Sequence, residues 1–566
     1  MAEPGNLITR FQVELDGKKP SQDFMRSLQE IAVDTSLHMP DVATLVIHDP
    51  HLRWIDDASL QPGRELKVSA TSTAQNSKAQ QIFDGEIVEV EPNFMSATHH
   101  LTVRAFDRLH RLMHGRRVRT FQNVTDSDVV KQIAGELGLQ ADAAETRQVH
   151  PYLLQCNQSN LEFLRERAAA LGFLLYAFGK KLCFKPLAHE DQIELKWGEN
   201  LIEFRPRLTT LSQVNTVTAR GWDPDTRQEL FAQVNRGEGM REIGQKQSGG
   251  ELVKQAFHIE ASHLVAERPL RMQSEVEKIA QVVADRVAER FIEAEGICAG
   301  NPALTAGDSI SVSSVGDQFS GKYFVTSASH LHNATQGYVT RFSVSGQTPV
   351  SLLRMLRKDS EQNAPVFSLV LGIITDNNDP QGLGRVKVKY PWLSPEHTSD
   401  WARVVSIGGG RERGIEFLPE VNDEVLVGFE MGDARHPYVL GGLWNGQDSP
   451  PKKSDQIVSN GSVRQRIIRS RNGHTVVLDD GDNGGISLSD QDGDQIKLDG
   501  HGINIADKDG NHIMLDRQGV TITDKNGDKI SLKAGRLELT ANGGISIKSN
   551  GVVEIKGSLL KLNCPA

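Results

Sequence analysis

Three acidic repeats toward the C-terminus hold the residues of this 566-residue sequence that most resemble a metal site. Asp490, Asp492 and Asp494 alternate in the first repeat, and carboxylates at this spacing bind calcium in EF-hand loops. Such a loop also needs glycine at position 6 and glutamate at position 12, where this sequence has Gln495 and His501. The period here is 17 residues, whereas calcium β-rolls repeat every nine. The pattern favours turns, and a calcium-dependent β-helical adhesin is kept as an alternative.

The repeat predicts short strands joined by tight turns. Gly485, Gly502 and Gly519 are 17 residues apart, and an Asp-Gly or Asn-Gly turn signal follows each of them. Each strand has two apolar side chains on one face, and a single chain cannot bury so thin a face. Three copies wound together would enclose it in a prism, and about eleven strands at about 4.8 Å would give a rod of about 50 Å. The predicted trimer core contains Ile486, Leu488, Ile496, Leu498, Ile503, Ile505, Ile513, Leu515, Val520, Ile522, Ile530 and Leu532.

Other residues that could do chemistry are few. His330 and His332 share one face of a predicted strand, but no third metal ligand is evident, so a structural role is favoured. A nucleophile elbow, HExxH, P-loop and GxGxxG are all missing, which predicts a protein that is no enzyme and binds no cofactor. None of the cysteines lies in a CxxC pair, which indicates small buried side chains in a reducing compartment. They are Cys156, Cys183, Cys298 and Cys564.

Charge and hydropathy exclude several classes. The net charge of −10 gives no global case for binding nucleic acid or an anionic membrane. The N-terminus has no signal-peptide pattern, and no run approaches the 18 apolar residues of a membrane span. The run at 108–119 is basic, and it is either a solvated face or a contact for an acidic baseplate subunit.

The elements that position these residues fall into regions of different texture. Residues 1–360 mix strands with helices predicted at 127–137, 160–171 and 274–295, which is typical of an α+β segment built of β-barrel units. Residues 365–447 are rich in strands, 448–460 form a polar linker, and 461–566 have almost no helix signal. We therefore expect a mainly β protein with an α+β N-terminal region.

The middle region carries a family resemblance. Its sequence "GIITDNNDPQGLGRVKVKYPWL", followed by "WARVVSIGGGRERGIEFLPEVNDEVLVGFEMGDARHPYVLGGLWNG", closely resembles the OB-fold of VgrG proteins and of central spikes of contractile phages and injection systems. Weaker likeness to their hub lies in 160–176 and 300–344, where details favour extracellular injection systems. The matching OB residues are Asp379, Pro380, Gly384, Arg385, Val386, Pro391, Trp401, Ala402, Arg403, Gly414, Phe417, Pro419, Glu420, Asp423, Glu424, Val425, Val427, Phe429, Pro437, Gly441 and Gly442.

The resemblance implies a homotrimeric spike with a hub, an OB-fold collar and a triple-stranded, intertwined β-helical needle. The hub would contact inner-tube and baseplate subunits, cargo effectors could bind, and the needle would touch the target membrane transiently. A PAAR-type tip protein would cap the needle end at Leu559, Leu560, Leu562 and Cys564. A threefold cluster of Cys564 is conceivable there, although an inert thiol is favoured. The chain would assemble in the cytoplasm and then join an extracellular, membrane-anchored or phage tail-like particle.

Two other functions are weighed against this interpretation. Lys387, Lys389, Tyr390 and Trp392 could line a nucleic-acid groove, as in many OB-folds. However, residues 366–446 contain 11 acidic and 7 basic residues, which disfavours such a groove. The other alternative is a spike-associated peptidoglycan hydrolase, but about 16 residues separate the OB-fold from the first needle strand, too few for a catalytic domain.

Overall fold

The computed structural model describes residues 11–72, 79–95, 99–186, 192–237, 247–266, 269–345, 369–394, 396–482 and 484–561. The backbone is mainly β, with 46% of residues in strands and 14% in helices, which confirms the predicted class. Two compact units comprise Met1–Gly442 and Leu443–Ala566. Among the described residues, no helix has the length and apolar character needed to cross a membrane.

Alternating strands build the first core of the N-terminal unit. Phe11, Val13 and Leu15 are buried on one face of their strand while Gln12 is exposed, as a period of two requires. The predicted hairpin over 85–107 is confirmed by antiparallel pairing of the fifth and sixth strands. The elements are β1 (Phe11–Leu15), α1 (Gln22–Ser27), β2 (Leu28–Ser36), β3 (Val42–His48), a 3-10 turn (Ala58–Leu60), β4 (Glu65–Ala70), β5 (Gln80–Phe94) and β6 (His99–Phe106).

Two helices and five strands enclose a second core. The helix predicted at 160–171 is confirmed in full, because Ser159 and Glu162 form a capping box and Gly172 ends the helix with a φ of 68°. The helix predicted at 127–137 begins one residue earlier, with Thr125 as its cap. The elements are a 3-10 helix (Arg108–Met113), β7 (Arg117–Thr125), α2 (Asp126–Glu136), β8 (Gln140–Ala143), β9 (Val149–Gln158), α3 (Asn160–Leu171), β10 (Phe173–Phe178) and β11 (Lys181–Pro186).

The third part of this unit corrects one predicted boundary. The helix predicted at 274–295 ends at Glu289, because Ile292 and Ala294 alternate as buried residues of a strand. The elements are β12 (Gln192–Lys196), β13 (Leu201–Leu208), β14 (Thr216–Asp223), β15 (Gln228–Val234), α4 (Gly249–Phe257), β16 (Ser262–Val265), α5 (Gln273–Glu289), β17 (Ile292–Ala299), β18 (Ser309–Ser313), β19 (Gly321–Phe324), β20 (Ser327–Asn333) and β21 (Gly337–Val344).

One ten-stranded sheet joins the first and third parts. Its strand order is β1-β4-β5-β6-β3-β2-β20-β21-β17-β13, so β1 and β13 are its edges. The two halves of the sheet cover separate apolar clusters, one under β1–β6 and one under β17–β21. The predicted barrel closure of these units stays a prediction.

The predicted OB module forms a small five-stranded sheet over its own core. Val386, Val388, Val425 and Val427 are fully buried, so the charged side chains that alternate with them lie outside. The elements are β22 (Val370–Asp376), β23 (Lys387–Lys389), β24 (Arg403–Val404), β25 (Glu424–Phe429), a 3-10 turn (Glu430–Gly432) and β26 (Pro437–Gly442).

The C-terminal unit is an antiparallel meander. Nine strands, β29 to β37, each pair with the next strand of the same chain, and 541–561 contain no strand. This differs from the predicted winding of strands between copies over 465–540. The elements are α6 (Ser454–Ile457), β27 (Val458–Ser459), β28 (Ser462–Val463), β29 (Gln465–Arg469), β30 (Thr475–Asp479), β31 (Gly485–Ser489), β32 (Gln495–Asp499), β33 (Gly502–Ala506), β34 (His512–Asp516), β35 (Gly519–Thr523), β36 (Lys529–Lys533) and β37 (Arg536–Thr540).

The repeated glycines have a steric cause. A Cβ added to Gly485, Gly502 or Gly519 would lie 2.0, 1.9 or 1.8 Å from a carbonyl oxygen of a neighbouring strand. Gly502 and Gly519 also have φ values of 137° and 142°, which side chains with a Cβ rarely adopt. The 17-residue glycine register therefore marks where each repeat starts against its neighbour.

Replacing Gly502 with alanine is expected to destabilise the meander by about 2 kcal/mol or more, because both the φ angle and the carbonyl contact oppose a Cβ. Hydrogen exchange of the β33 and β34 amides measures the change. Gly500→Ala is the matched control, since nothing lies within 4 Å of its added Cβ. Equal protection in the two variants would contradict this explanation of the register.

Candidate functional site

Cross-strand pairing aligns the predicted core residues in two rows. Ile486 lies opposite Leu498, and Leu498 lies opposite Ile503, so one row continues from strand to strand. Leu488, Ile496 and Ile505 begin the second row in the same way. All twelve predicted residues belong to these rows, and Leu537 and Leu539 extend them onto β37. The rows form one continuous aliphatic surface, the needle face.

The needle face is exposed in the single chain. Ten of the twelve predicted residues have exposed fractions between 36% (Ile503) and 50% (Leu532), and Ile513 and Val520 are half-buried. On the opposite face, Thr521 and Ser531 are the buried residues, at 7% and 5%. The meander thus buries part of its polar face and leaves its aliphatic face open, the opposite of an independent domain. A continuous aliphatic surface of this kind marks an interaction site.

Aspartates organise the turns along one side of the meander. Asp490 Oδ1 accepts hydrogen bonds from the backbone N–H groups of Asp492, Gly493 and Asp494, each at 2.9 Å. Desolvation would raise the pKa of Asp490, but these backbone hydrogen bonds lower it. Asp507 and Asp524 hold the next two turns in the same way. Their oxygens are therefore used within the turns, and the described part of the chain contains no cluster of ligands that could hold a metal.

Successive turns are also linked to one another, which the sequence reasoning missed. The side-chain oxygens of Asp494, Asn511 and Asp528 accept from backbone N–H groups 14 residues further on, at 2.9, 3.0 and 2.7 Å. These donors belong to Lys508, Lys525 and Asn542. The recurrence of Asp or Asn every 17 residues could have indicated this ladder. It ties each repeat to the next and so resists slippage of the strands.

The proposed tip residues are described only in part. Leu559 and Leu560 are exposed, at 72% and 62%. Leu562 and Cys564 lie outside the described residues.

The two predicted histidines lie in the hub sheet. His330 is completely buried, and its Nδ1 lies 2.9 Å from the Tyr338 hydroxyl and 3.3 Å from Thr340 Oγ1. Burial lowers the pKa of His330 to about 4, so the ring is neutral. The His332 ring stacks on Phe11 with centroids 5.0 Å apart. Both rings make core contacts, as the structural interpretation predicts.

The basic run at 108–119 is not simply a solvated face, which corrects the favoured interpretation. Arg108 is 1% exposed, and its nitrogens lie 2.8 Å from Asp84 Oδ1 and 3.0 Å from Glu65 Oε1. Arg111 donates to both oxygens of Glu86, at 2.5 and 3.0 Å. Burial would raise the pKa of Glu86, but hydrogen bonds from Arg111 and His110 hold it below its ordinary value. These carboxylates come from β4 and β5, so their partners could not be read from the local sequence.

In the OB module, Asp379 fixes the loop before β23. Its two oxygens accept from Nε and Nη2 of Arg385 at 2.9 and 2.8 Å, and from the backbone N–H groups of Gln381 and Leu383. The hydrogen bond from Arg385 is the main reason that the pKa of Asp379 lies well below its usual range. Asp379 and Arg385 therefore have a structural role in this module.

The residues considered for nucleic-acid binding do not form a stacking surface. Tyr390 is buried in the OB core, and Lys387 lies over the Trp401 ring at 5.0 Å. Trp392 is 52% exposed, and its Nε1 donates to the carbonyl of Leu371. Of the two aromatic side chains, only Trp392 is accessible to a base.

Comparison with known proteins gives two family matches. The family model described as the Alg8 N-terminal domain matches residues 6–333. The model described as the type VI secretion system/phage-baseplate injector OB domain matches residues 370–444, which supports the predicted OB-fold.

Two curated relatives are type VI secretion system spike proteins of Pseudomonas aeruginosa. The chain is 33% identical to VgrG5 over 110 residues, which are 17% of this chain and 14% of VgrG5. It is 27% identical to VgrG1a over 129 residues, which are 22% of this chain and 19% of VgrG1a. The matched part therefore spans less than a fifth of each relative.

The fold is also similar to a chain of the lidded Francisella PdpA-VgrG complex. The TM-score is 0.53 at 9% sequence identity, and the match covers 92% of this chain and 81% of that chain.

Proposed function

Because the chain belongs to the family of the Alg8 N-terminal domain and is a VgrG-like spike protein, we propose that three copies form the central spike of a contractile injection machine. Residues 1–360 would form the hub, 365–447 the OB collar and 461–566 the needle. Sheath contraction would drive the needle through the target envelope. The function is then mechanical, and this chain would contribute stiffness and shape rather than a catalytic group.

The needle face is the observation that carries the proposal. Two aliphatic rows continue without a break from β31 to β37, and most of their residues are exposed in one chain. Burial of aliphatic surface is the dominant favourable term in association. Three such faces turned toward a common axis would remove all of them from water and leave the charged turns outside. Each meander would then be one side of a prism.

The end of the needle would be built differently. Residues 541–561 keep an alternating pattern with Ile545, Ile547 and Ile555 exposed, yet they form no strand within the chain. A strand needs a hydrogen-bonding partner, so this segment would pair between copies as an intertwined β-helix. Leu559 and Leu560, with Leu562 and Cys564 beyond them, would then receive a PAAR-type tip protein.

The remaining partners follow from the same proposal. The hub would nucleate the baseplate and the inner tube, and cargo effectors could bind to the assembled spike. Contact with the target membrane would be transient, and nucleic acid would not bind. The chain would assemble in the cytoplasm before it joins a phage tail-like, extracellular or membrane-anchored particle.

Deletion of the coding sequence tests the proposed function. We expect the deletion strain to yield no assembled sheath and tube by electron microscopy, because the spike starts the baseplate. Complementation with the wild-type chain should restore the particles. Particles of normal number and activity without this chain would contradict the proposal.

The calcium-dependent adhesin is tested by metal removal. We expect EDTA to leave the unfolding transition of residues 465–540 unchanged, because Asp490, Asp507 and Asp524 use their oxygens on backbone N–H groups. Circular dichroism during thermal unfolding measures this. A lowered transition that calcium restores would favour the adhesin instead.

The peptidoglycan hydrolase is tested by zymography. We expect no cleared band at the position of this chain on a gel that contains peptidoglycan. A cleared band that persists in the purified protein would overturn the mechanical function.

A further inference from the structure

A groove of about 1120 Å³ opens in the hub where β13 and β17 face α3 and α5. Four arginines and only two glutamates line it, in a chain whose net charge is −10. Serine hydroxyls and an apolar wall that includes Leu37, Phe173 and Leu174 complete the lining. The arginines are Arg165, Arg205, Arg207 and Arg286.

Arg165 differs from the other three arginines. Arg205 pairs with Glu203, Arg207 pairs with Glu293, and Arg286 donates to the Ala169 carbonyl at 2.8 Å. Among the described residues, Arg165 makes no hydrogen bond or ion pair, and its Nη2 is shielded from solvent. A shielded guanidinium nitrogen without an acceptor is costly, so its presence in a groove points to an acceptor supplied from outside.

The nearest compensating charge is incomplete. Asp107 interacts electrostatically with Arg165, but it shares its buried surroundings with Asp41. Burial raises the pKa of Asp107 to about 7, although its hydrogen bonds and the charges of Arg108 and Arg165 oppose this. At neutral pH the carboxyl of Asp107 is therefore only partly ionised and leaves part of the Arg165 charge uncompensated.

The lining indicates the class of ligand. Arginine clusters bind acidic motifs through charge-assisted hydrogen bonds. The apolar wall and the size of the groove fit a peptide with side chains better than an inorganic anion. The net negative charge of the chain disfavours nucleic acid. We propose that this groove binds an acidic peptide segment of a partner protein, and that Arg165 holds one of its carboxylates.

Fluorescence anisotropy with the full chain tests this site. The probe is a fluorescein-labelled peptide of alternating Glu and Leu, and the same peptide with Lys for Glu should not bind. Arg165→Gln is expected to weaken the Kd about tenfold, because a hydrogen bond to a charged group is lost. Arg26→Gln, at an exposed arginine outside the groove, should leave the Kd unchanged.

Arg205→Gln keeps the test decisive if Arg165→Gln does not fold, because the Arg205 side chain is 73% exposed and lines the same groove. It is expected to weaken binding about threefold. Unchanged binding in the folded groove variant would overturn the proposal. Equal weakening by Arg26→Gln, or binding of single-stranded DNA as tight as that of the acidic peptide, would overturn it as well.

Discussion

Replacing Ile503 and Ile505 with aspartate is expected to convert the trimer into monomers. Both residues lie on the needle face, one in each aliphatic row, and both are about 40% exposed in a single chain. In a closed prism the two substitutions would bring six carboxylates into an apolar interior. Burying unpaired charge is far more costly than any local rearrangement can offset, so the copies should separate.

Light scattering during gel filtration measures this change as a drop from three chains to one, each chain having a mass of 62.3 kDa. Asn504→Asp is the matched control, because Asn504 lies between the two isoleucines on the opposite face. The control should remain trimeric. If the double variant keeps the mass of wild type, the needle face is not the contact between copies.

Replacing Arg108 with alanine is expected to destabilise the N-terminal unit by about 3–5 kcal/mol. The substitution would leave Asp84, Glu65 and Glu86 without their shared buried partner, and removing one member of a buried ion network is far more damaging than removing a surface pair. Urea unfolding followed by the fluorescence of Trp54, which is 6% exposed, measures the loss.

Arg116→Ala, in the same basic run, is the control for Arg108→Ala. Its side chain is 57% exposed and pairs with Glu162 at the surface, so a change of about 1 kcal/mol or less is expected. The lowered pKa of Glu86 also gives a pH dependence. The stability due to Glu86 is full above its unfolded pKa and is lost as the pH falls through the lower folded pKa. Equal losses in the two variants would contradict the buried network.

Local signals predicted the helices better than their ends. The helix α3 is bounded by Ser159, Glu162 and Gly172, all of which act within one turn, so its limits could be read from the sequence. The end of α5 depends on β17, whose partners β13 and β21 lie far away in the chain. A helical pattern that runs into a strand is decided by such distant pairing, which the sequence does not display.

The needle face could be predicted because its period is regular. The 17-residue repeat placed every aliphatic pair on one face before the pairing of the strands was known, and the register agrees. The pairing of neighbouring strands within one chain over 465–540 was not predicted, because alternation is the same whether a strand pairs within its chain or with another copy.

Contacts between distant elements were out of reach of the sequence. The partners of Arg108 come from β4 and β5, and the groove around Arg165 combines helices and strands from three parts of the hub. Neither has a local motif. The turn-to-turn ladder lies between these cases, since its Asp and Asn residues recur visibly but their acceptor role appears only in the stacked turns.

The molar mass of the unmodified full chain in solution tests the central claim most directly. An exposed aliphatic face that crosses seven strands predicts a stable trimer of 62.3 kDa chains at micromolar concentration. A stable monomer that keeps its needle folded would contradict the trimeric spike.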